Sequence, residues 1–321
     1  MSKLIEIEDL LVQFKRKSAK LTHFRPEYFS AVDHVSFSIE KGETFGLVGE
    51  SGSGKSTIGR AVLGYLPPAG GRILYEGKDI TRLNEKERLP YQRKMQSVFQ
   101  DPYSSLDPSM NVRQIIEEPM DIHRVFTGSE RKKKVEELLE AVGLTAQDSL
   151  RYPFEFSGGQ RQRISIARAL SISPDFIVCD EPISALDVSL QAQIVFMLRD
   201  LQKQLGLTYL FISHQLQITQ KICDHIAVLY LGSVMELGTS DQIFFHPRHP
   251  YTRMLISSIL EADPDLPGLE AVPADSGNQG ADPAGCKFSD RCPHARPECS
   301  AKKPPLKETE PGHYSSCILS F

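Results

Sequence analysis

From about residue 31 onward, short apolar or β-branched runs alternate with stretches whose apolar residues recur every three or four positions. That is the pattern of strands joined through crossover helices, and it predicts an α/β core. Thr44–Val48 reads as a strand entering a glycine-rich turn, and 56–66 as the helix leaving it. Phe176–Asp180 and Thr208–Ser213 are apolar enough to be strands buried on both faces. Residues 1–9 alternate Ile and Leu with Glu and Asp and predict a first strand. Between these segments, 112–118, 130–142 and 160–170 carry helical spacing, so a helical subdomain of about 103–172 is expected within the core. After Leu260, Pro, Gly, Asp and Ala dominate through Gly285, as in a linker. The expected plan is a domain over 1–260, a linker over 261–285 and a four-cysteine segment over 286–321.

Composition narrows the partners. A length of 321 residues with 40% hydrophobic and 24% charged residues accommodates one large domain with an appendage. The net charge of -4 gives no electrostatic footprint for nucleic acid, whose binding usually needs a basic face to displace counterions, so no nucleic-acid partner is expected. The N-terminus lacks the basic start and apolar stretch of a signal peptide. The most apolar runs, such as 226–231, stop far short of the roughly 20 residues that cross a bilayer. A cytosolic chain, able to dock on a membrane protein, is the expectation. Cys179 and Cys223 sit alone among apolar neighbours and read as packing residues. Cys286, Cys292, Cys299 and Cys317 crowd the end of the chain, where clustered thiols in a reducing compartment suggest metal before disulfide.

The strand–turn–helix at 44–66 contains Gly49, Glu50, Ser51, Gly52, Ser53, Gly54, Lys55, Ser56 and Thr57, a match to G-x-x-x-x-G-K-[ST] in the context that motif requires. Its glycines let backbone N–H groups curl round phosphates, and the helix N-terminus adds positive dipole. Lys55 is expected to bridge the β- and γ-phosphates, and Ser56 to offer its hydroxyl to Mg²⁺. The strand Phe176–Asp180 ends in Asp180 and Glu181. Asp180 is expected in the Mg²⁺ shell, and Glu181 as general base toward water.

Phe156-Ser157-Gly158-Gly159-Gln160-Arg161-Gln162-Arg163 opens a helix before that strand and resembles the signature sequence of the ABC ATPases. Gln100 after the 95–99 run, Ser184-Ala185-Leu186-Asp187 after Glu181, and His214 after Thr208–Ser213 complete that family's ordered set. The resemblance spans 1 to about 260 and implies a P-loop NTPase cassette: a mixed-sheet α/β core, an inserted helical subdomain and a small C-terminal extension. It implies two cassettes facing head to tail, so that Ser157, Gly158, Gly159 and Gln160 meet the ATP held by the other subunit's phosphate loop. Within each cassette Lys55, Gln100, Glu181 and His214 form the implied catalytic set. Ser56, Gln100 and Asp180 would surround Mg²⁺, and Asp187 would touch the opposing subunit. Two departures stand out: Phe156 replaces the usual leucine, and Gln215 follows His214 where an acid is frequent. Phe24, Tyr28 and Phe29 all compete to stack on adenine.

His246-Pro247-Arg248-His249-Pro250-Tyr251-Thr252, the cysteine tail and the segment from Phe99 to Pro108 resemble the ATPases of oligopeptide and dipeptide importers. The resemblance implies an ATP-hydrolysing subunit on the cytoplasmic face of the membrane. Its implied partners are a second ATPase subunit, commonly a paralogue, two membrane permeases and an extracytoplasmic solute-binding protein. Related nickel importers carry similar sequences, and a soluble ABC protein without a membrane role is the other alternative. The tail spacing C-x5-C-x6-C-x17-C is irregular for zinc. In some peptide-importer ATPases the equivalent cysteines ligate an iron–sulfur cluster, so a [4Fe-4S] cluster is the leading expectation, followed by zinc and by unligated thiols.

Overall fold

The computed structural model describes residues 2–15, 28–101, 103, 105–260 and 284–319. The chain divides into two compact units, Met1–Ser2 with Ile39–Thr44 and Arg82–Ser213, and Lys3–Ser38 with Phe45–Thr81 and His214–Phe321. We call them the signature unit and the loop unit, after the motifs each contains.

The loop unit holds a four-stranded sheet in the order Tyr28–Glu40, Lys3–Lys15, Gly70–Tyr75, Lys78–Asp79. Ile5 faces Tyr75 and Ile7 faces Ile73 across the antiparallel central pair, and the first strand buries Leu4, Ile5, Ile7, Leu10 and Val12. A second run begins at Thr44–Val48, whose five residues are all buried, and pairs parallel with His225–Tyr230. From there the direction alternates: Ser233–Thr239 pairs antiparallel with His225–Tyr230, His313–Ser315 with Ser233–Thr239, and Lys307–Glu310 with His313–Ser315. The sheet is therefore mixed. The segment that carries the four cysteines also supplies its last two strands, which the sequence pattern left unassigned. Residues 261–283 of the expected linker lie outside the described residues.

In the signature unit, Met95–Val98, Phe176–Asp180 and Thr208–Ser213 run parallel, with Val98 opposite Cys179 and Asp180 opposite Ile212. The helices Val112–Ile122, Gly128–Ala141 and Gly158–Leu170 pack together. Their apolar faces, such as Val112, Ile115, Ile116 and Met120, recur at helical spacing and are buried. The first of these helices runs through Pro119 to Ile122, beyond the stop that proline suggests. Met120, fully buried, anchors the added turn. The helix after the phosphate loop is shorter than its pattern, Lys55–Val62. Gly64 follows with φ 78°, a left-handed conformation that favours glycine and ends helices.

Candidate functional site

The phosphate loop begins where the buried strand Thr44–Val48 ends. Gly49 has φ 146°, and a Cβ there would lie 2.1 Å from the Leu229 carbonyl oxygen, so no other residue fits. Gly54 precedes the helix with φ 99°, and its Cβ would meet the Ala31 carbonyl at 2.3 Å. The loop thus lies against backbone on two sides. Ser51 and Gly52 are exposed at its crest, while Ser53 and Lys55 are buried. Lys55 Nζ donates to the carbonyls of Gly49 (2.8 Å) and Glu50 (2.9 Å) and to Ser53 Oγ (3.3 Å). Its ammonium is held by the loop's own backbone, at the N-terminus of the helix on which Ser56 and Thr57 follow. His214 also belongs to the loop unit and is exposed, just before the helix Leu216–Ile222.

Three expected residues meet at one edge of the signature unit. Gln100 lies two residues beyond Val98, and Asp180 and Glu181 close the neighbouring strand, so all three sit at the C-terminal ends of parallel strands. That edge is where open α/β sheets place their ligands. Gln100 and Asp180 both offer oxygen, the donor type that a hard cation such as Mg²⁺ takes. Glu181 has φ 49°, an uncommon left-handed conformation for a glutamate. It is held there by its amide donating to the Ile212 carbonyl (3.0 Å) and its carbonyl accepting from Ser184 Oγ (3.1 Å). Side-chain Nε2 of buried Gln191 donates to the carbonyls of Ile183 (3.2 Å) and Leu186 (3.0 Å), fixing the turn after Glu181. Sequence reasoning missed Gln191; a glutamine on a core-facing position of the helix Val188–Leu205 was the available signal.

The signature residues form the start of their own helix. Ser157 caps it by accepting from the Gln160 amide (3.4 Å), and Gln160 Oε1 accepts from the Ser157 amide (3.0 Å), a reciprocal capping box. Phe156, the departure from leucine, is 4% exposed and lies under the Arg151 guanidinium at 4.3 Å, so the position requires a large apolar side chain. Asp187 caps the helix Val188–Leu205, accepting from the Leu190 amide (3.0 Å) and from Ser189 Oγ (2.7 Å). Hydrogen bonding from Ser189 is the main reason its carboxyl lies below the usual range. The segment from Phe99 to Pro108 is tied to the signature helix: Arg161 covers the Tyr103 ring at 4.1 Å, and Arg168 Nη1 donates to the Ser105 carbonyl (2.6 Å). Pro102 and Ser104 lie outside the described residues. Of the candidates for adenine, so does Phe24; Tyr28 and Phe29 are exposed on the strand Tyr28–Glu40.

Cys286, Cys292, Cys299 and Cys317 all line one enclosure, together with His249 and Phe288. Its free volume is only about 10 Å³, which is room for a single water. Burial pushes the Cys286 thiol up to about 11 and raises Cys292 and Cys317 as well. Among the described residues no three His, Cys, Asp or Glu side chains converge as metal ligands. The expected iron–sulfur cluster finds no support in this arrangement. Cys179 is fully buried beside Tyr209, as expected of a packing residue, and burial raises its thiol far above the ordinary range.

Strand, glycine loop and helix in the loop unit, and acid-tipped parallel strands in the signature unit, define the α/β P-loop NTPase fold of a nucleotide-binding cassette. Residues 32–184 match the family described as ABC transporter, and 235–299 the oligopeptide/dipeptide transporter C-terminal region. YkfD of Bacillus subtilis is 49% identical over 98% of this chain and 95% of its own length. The oligopeptide transport ATP-binding protein OppF of Haemophilus influenzae is 43% identical over 98% of this chain and 96% of its own. A solved dimeric structure of the ATP-binding cassette MJ0796 bound to ADP and Pi is 27% identical, with a TM-score of 0.66 over 74% of this chain and 99% of that one. The chain belongs to the ABC transporter family, among the members that carry the oligopeptide/dipeptide transporter C-terminal region. The nickel alternative finds no support among these relatives.

Proposed function

We propose that this chain is the ATP-hydrolysing subunit of an importer of oligopeptides, working on the cytoplasmic face of the membrane against two permease subunits. The observation that carries the reading is the full motif order in a chain whose C-terminal region matches the peptide-transport type. In this reading a second cassette, a paralogue, faces the first, and an extracytoplasmic solute-binding protein delivers the cargo. No helix among the described residues is long and apolar enough to cross a membrane, so permeases would have to supply the path.

Lys55 and the amides of Gly49–Thr57 would hold the phosphates, with Ser157, Gly158, Gly159 and Gln160 completing the site of the opposing subunit. Mg²⁺, when bound, would neutralise charge on the phosphates; Ser56, Gln100 and Asp180 would hold it. Glu181 would accept a proton from the attacking water, its carboxylate held at the strand end by the turn that Ser184 and Gln191 fix. His214 would hold the γ-phosphate, and Gln100 would report the state of the site to the permeases. The capping box gives Ser157 and Gln160 a local role as well, and one N-terminus can serve both because it leaves further amides free to face an anion.

Purification of the tagged chain from native membranes tests the reading: two integral membrane proteins and a second ATPase should accompany it, and their absence would remove the transporter.

A further inference from the structure

The C-terminal tail grips the phosphate loop directly. Arg291 Nη1 donates to Glu50 Oε2 (2.8 Å) and Nη2 to Glu50 Oε1 (3.0 Å), a bidentate pair joining residues 241 positions apart. Glu50 is the second residue of the loop, and its backbone amide donates to the Tyr251 hydroxyl (3.0 Å). Tyr251 is fully buried, with Tyr230 at 4.8 Å and Phe288 at 5.3 Å. The Arg291 guanidinium lies over the Tyr230 and Phe288 rings at 5.7 and 5.8 Å, so an aromatic box fixes both groups that touch Glu50. A second strap runs alongside. Lys287 Nζ donates to the Leu231 carbonyl (2.7 Å) and pairs with Asp33 (3.0 Å), and the adjoining Gly232 amide donates to the Ser53 carbonyl (3.0 Å).

A carboxylate inside a loop built to receive several phosphate charges is an electrostatic liability unless something neutralises it. Arg291 does so; its own side chain is 9% exposed, and the pair meets water only from the Glu50 side, which is 35% exposed. The rigid fork of a guanidinium also fixes the orientation of its carboxylate, which a lysine would not do.

We propose that Arg291 is a positioning residue of the nucleotide site: by pairing with Glu50 it neutralises and orients the first turn of the phosphate loop, so that the tail sets nucleotide affinity. This rests on the reading of Gly49–Thr57 as the nucleotide site, and the wild-type chain tests that separately.

Binding of MgADP and MgATP is measured by titration calorimetry on the full chain, with melting temperature in parallel, for wild type, Arg291→Gln, Arg291→Lys, Glu50→Gln and the double variant. Leaving Glu50 unpaired should weaken MgATP binding about tenfold in Arg291→Gln. Removing the carboxylate as well should recover most of that loss in the double variant, and Arg291→Lys should fall between wild type and Arg291→Gln. MgATP should suffer more than MgADP, having one more phosphate to repel. If Arg291→Gln lowers the melting temperature but leaves both affinities within twofold of wild type, Arg291 is only a structural clasp and the proposal falls. Loss in the double variant equal to or greater than in Arg291→Gln would also overturn it. Should Arg291→Gln not fold, the Arg291→Lys and Glu50→Gln affinities decide by the same twofold limit. A wild-type chain that binds neither nucleotide would instead overturn the underlying reading.

Discussion

The two units hold their motifs by different means. In the signature unit the caps and turns are short-range in sequence, Ser157 with Gln160, Asp187 with Leu190 and Ser184 with the Glu181 carbonyl, and the longer ties, Glu181 with Ile212 and Arg168 with Ser105, span tens of residues. In the loop unit the decisive contacts reach across most of the chain: Glu50 with Tyr251 and Arg291, Asp33 with Lys287 and Lys303. A motif held by its neighbours carries its own geometry wherever the chain folds. A motif held by a distant segment acquires its geometry only when that segment docks, which makes it open to control.

The largest effect should come from chemistry confined to the signature unit. Glu181→Gln should lower ATP turnover of the assembled complex on the order of 10³-fold while leaving nucleotide binding intact. Steady-state turnover and calorimetry check this; turnover within threefold of wild type would take the general base away from Glu181. Phe156→Ala should destabilise the chain by about 3 kcal/mol in urea titrations, because it empties a buried aromatic site. Phe156→Leu should cost under about 1.5 kcal/mol, since it nearly refills that site. Equal costs would mean that the ring's contact with Arg151, and not its volume, is what counts.

The long-range half predicts a pH signature. Burial alone would raise the Asp33 carboxyl, but hydrogen bonds from Lys303 and Lys287 outweigh it and hold it at about 2, below its ordinary 3.8. The unfolded chain therefore binds the proton more readily between those values. This stability is fully present above pH 3.8 and is lost as pH falls toward 2, by about 2 kcal/mol. Chemical denaturation across that range should show a shallower slope for Asp33→Asn than for wild type; equal slopes would remove the pair from the account. The smallest effect belongs to the local cap, where Ser157→Ala should cost about 1 kcal/mol of stability. A loss confined to turnover, with stability unchanged, would show that the serine acts on nucleotide and hardly at all as a cap.

The same contrast explains what could be read in advance. Gly49–Thr57, Phe176–Asp180 and Ser157–Gly159 were legible because each combines a residue pattern with a flanking element whose period is visible locally. The left-handed backbone at Glu181 was not, because glutamate has no preference for it and the Ile212 carbonyl that secures it lies on another strand. Arg291, Lys287 and Tyr251 carry no local signal of their destination, since the sequence separation hides a pairing that only the folded tail creates. Cysteine spacing suggested ligands, whereas the structure puts the four thiols around an enclosure with room for one water.

The tail's two strands have one more consequence. Without Lys307–Glu310 and His313–Ser315, the strand Ser233–Thr239, six of whose residues pair with His225–Tyr230, would lose the partners of Glu236 and Leu237 and leave more of its other side bare. Such a border recruits strands from other molecules. The outermost strand is instead four residues long and reads Lys-Glu-Thr-Glu, largely exposed, too short and too charged to be a good template. A chain cut after Leu260 should therefore self-associate on size-exclusion chromatography under conditions where the full chain does not, so that the tail acts as a border that other strands cannot extend.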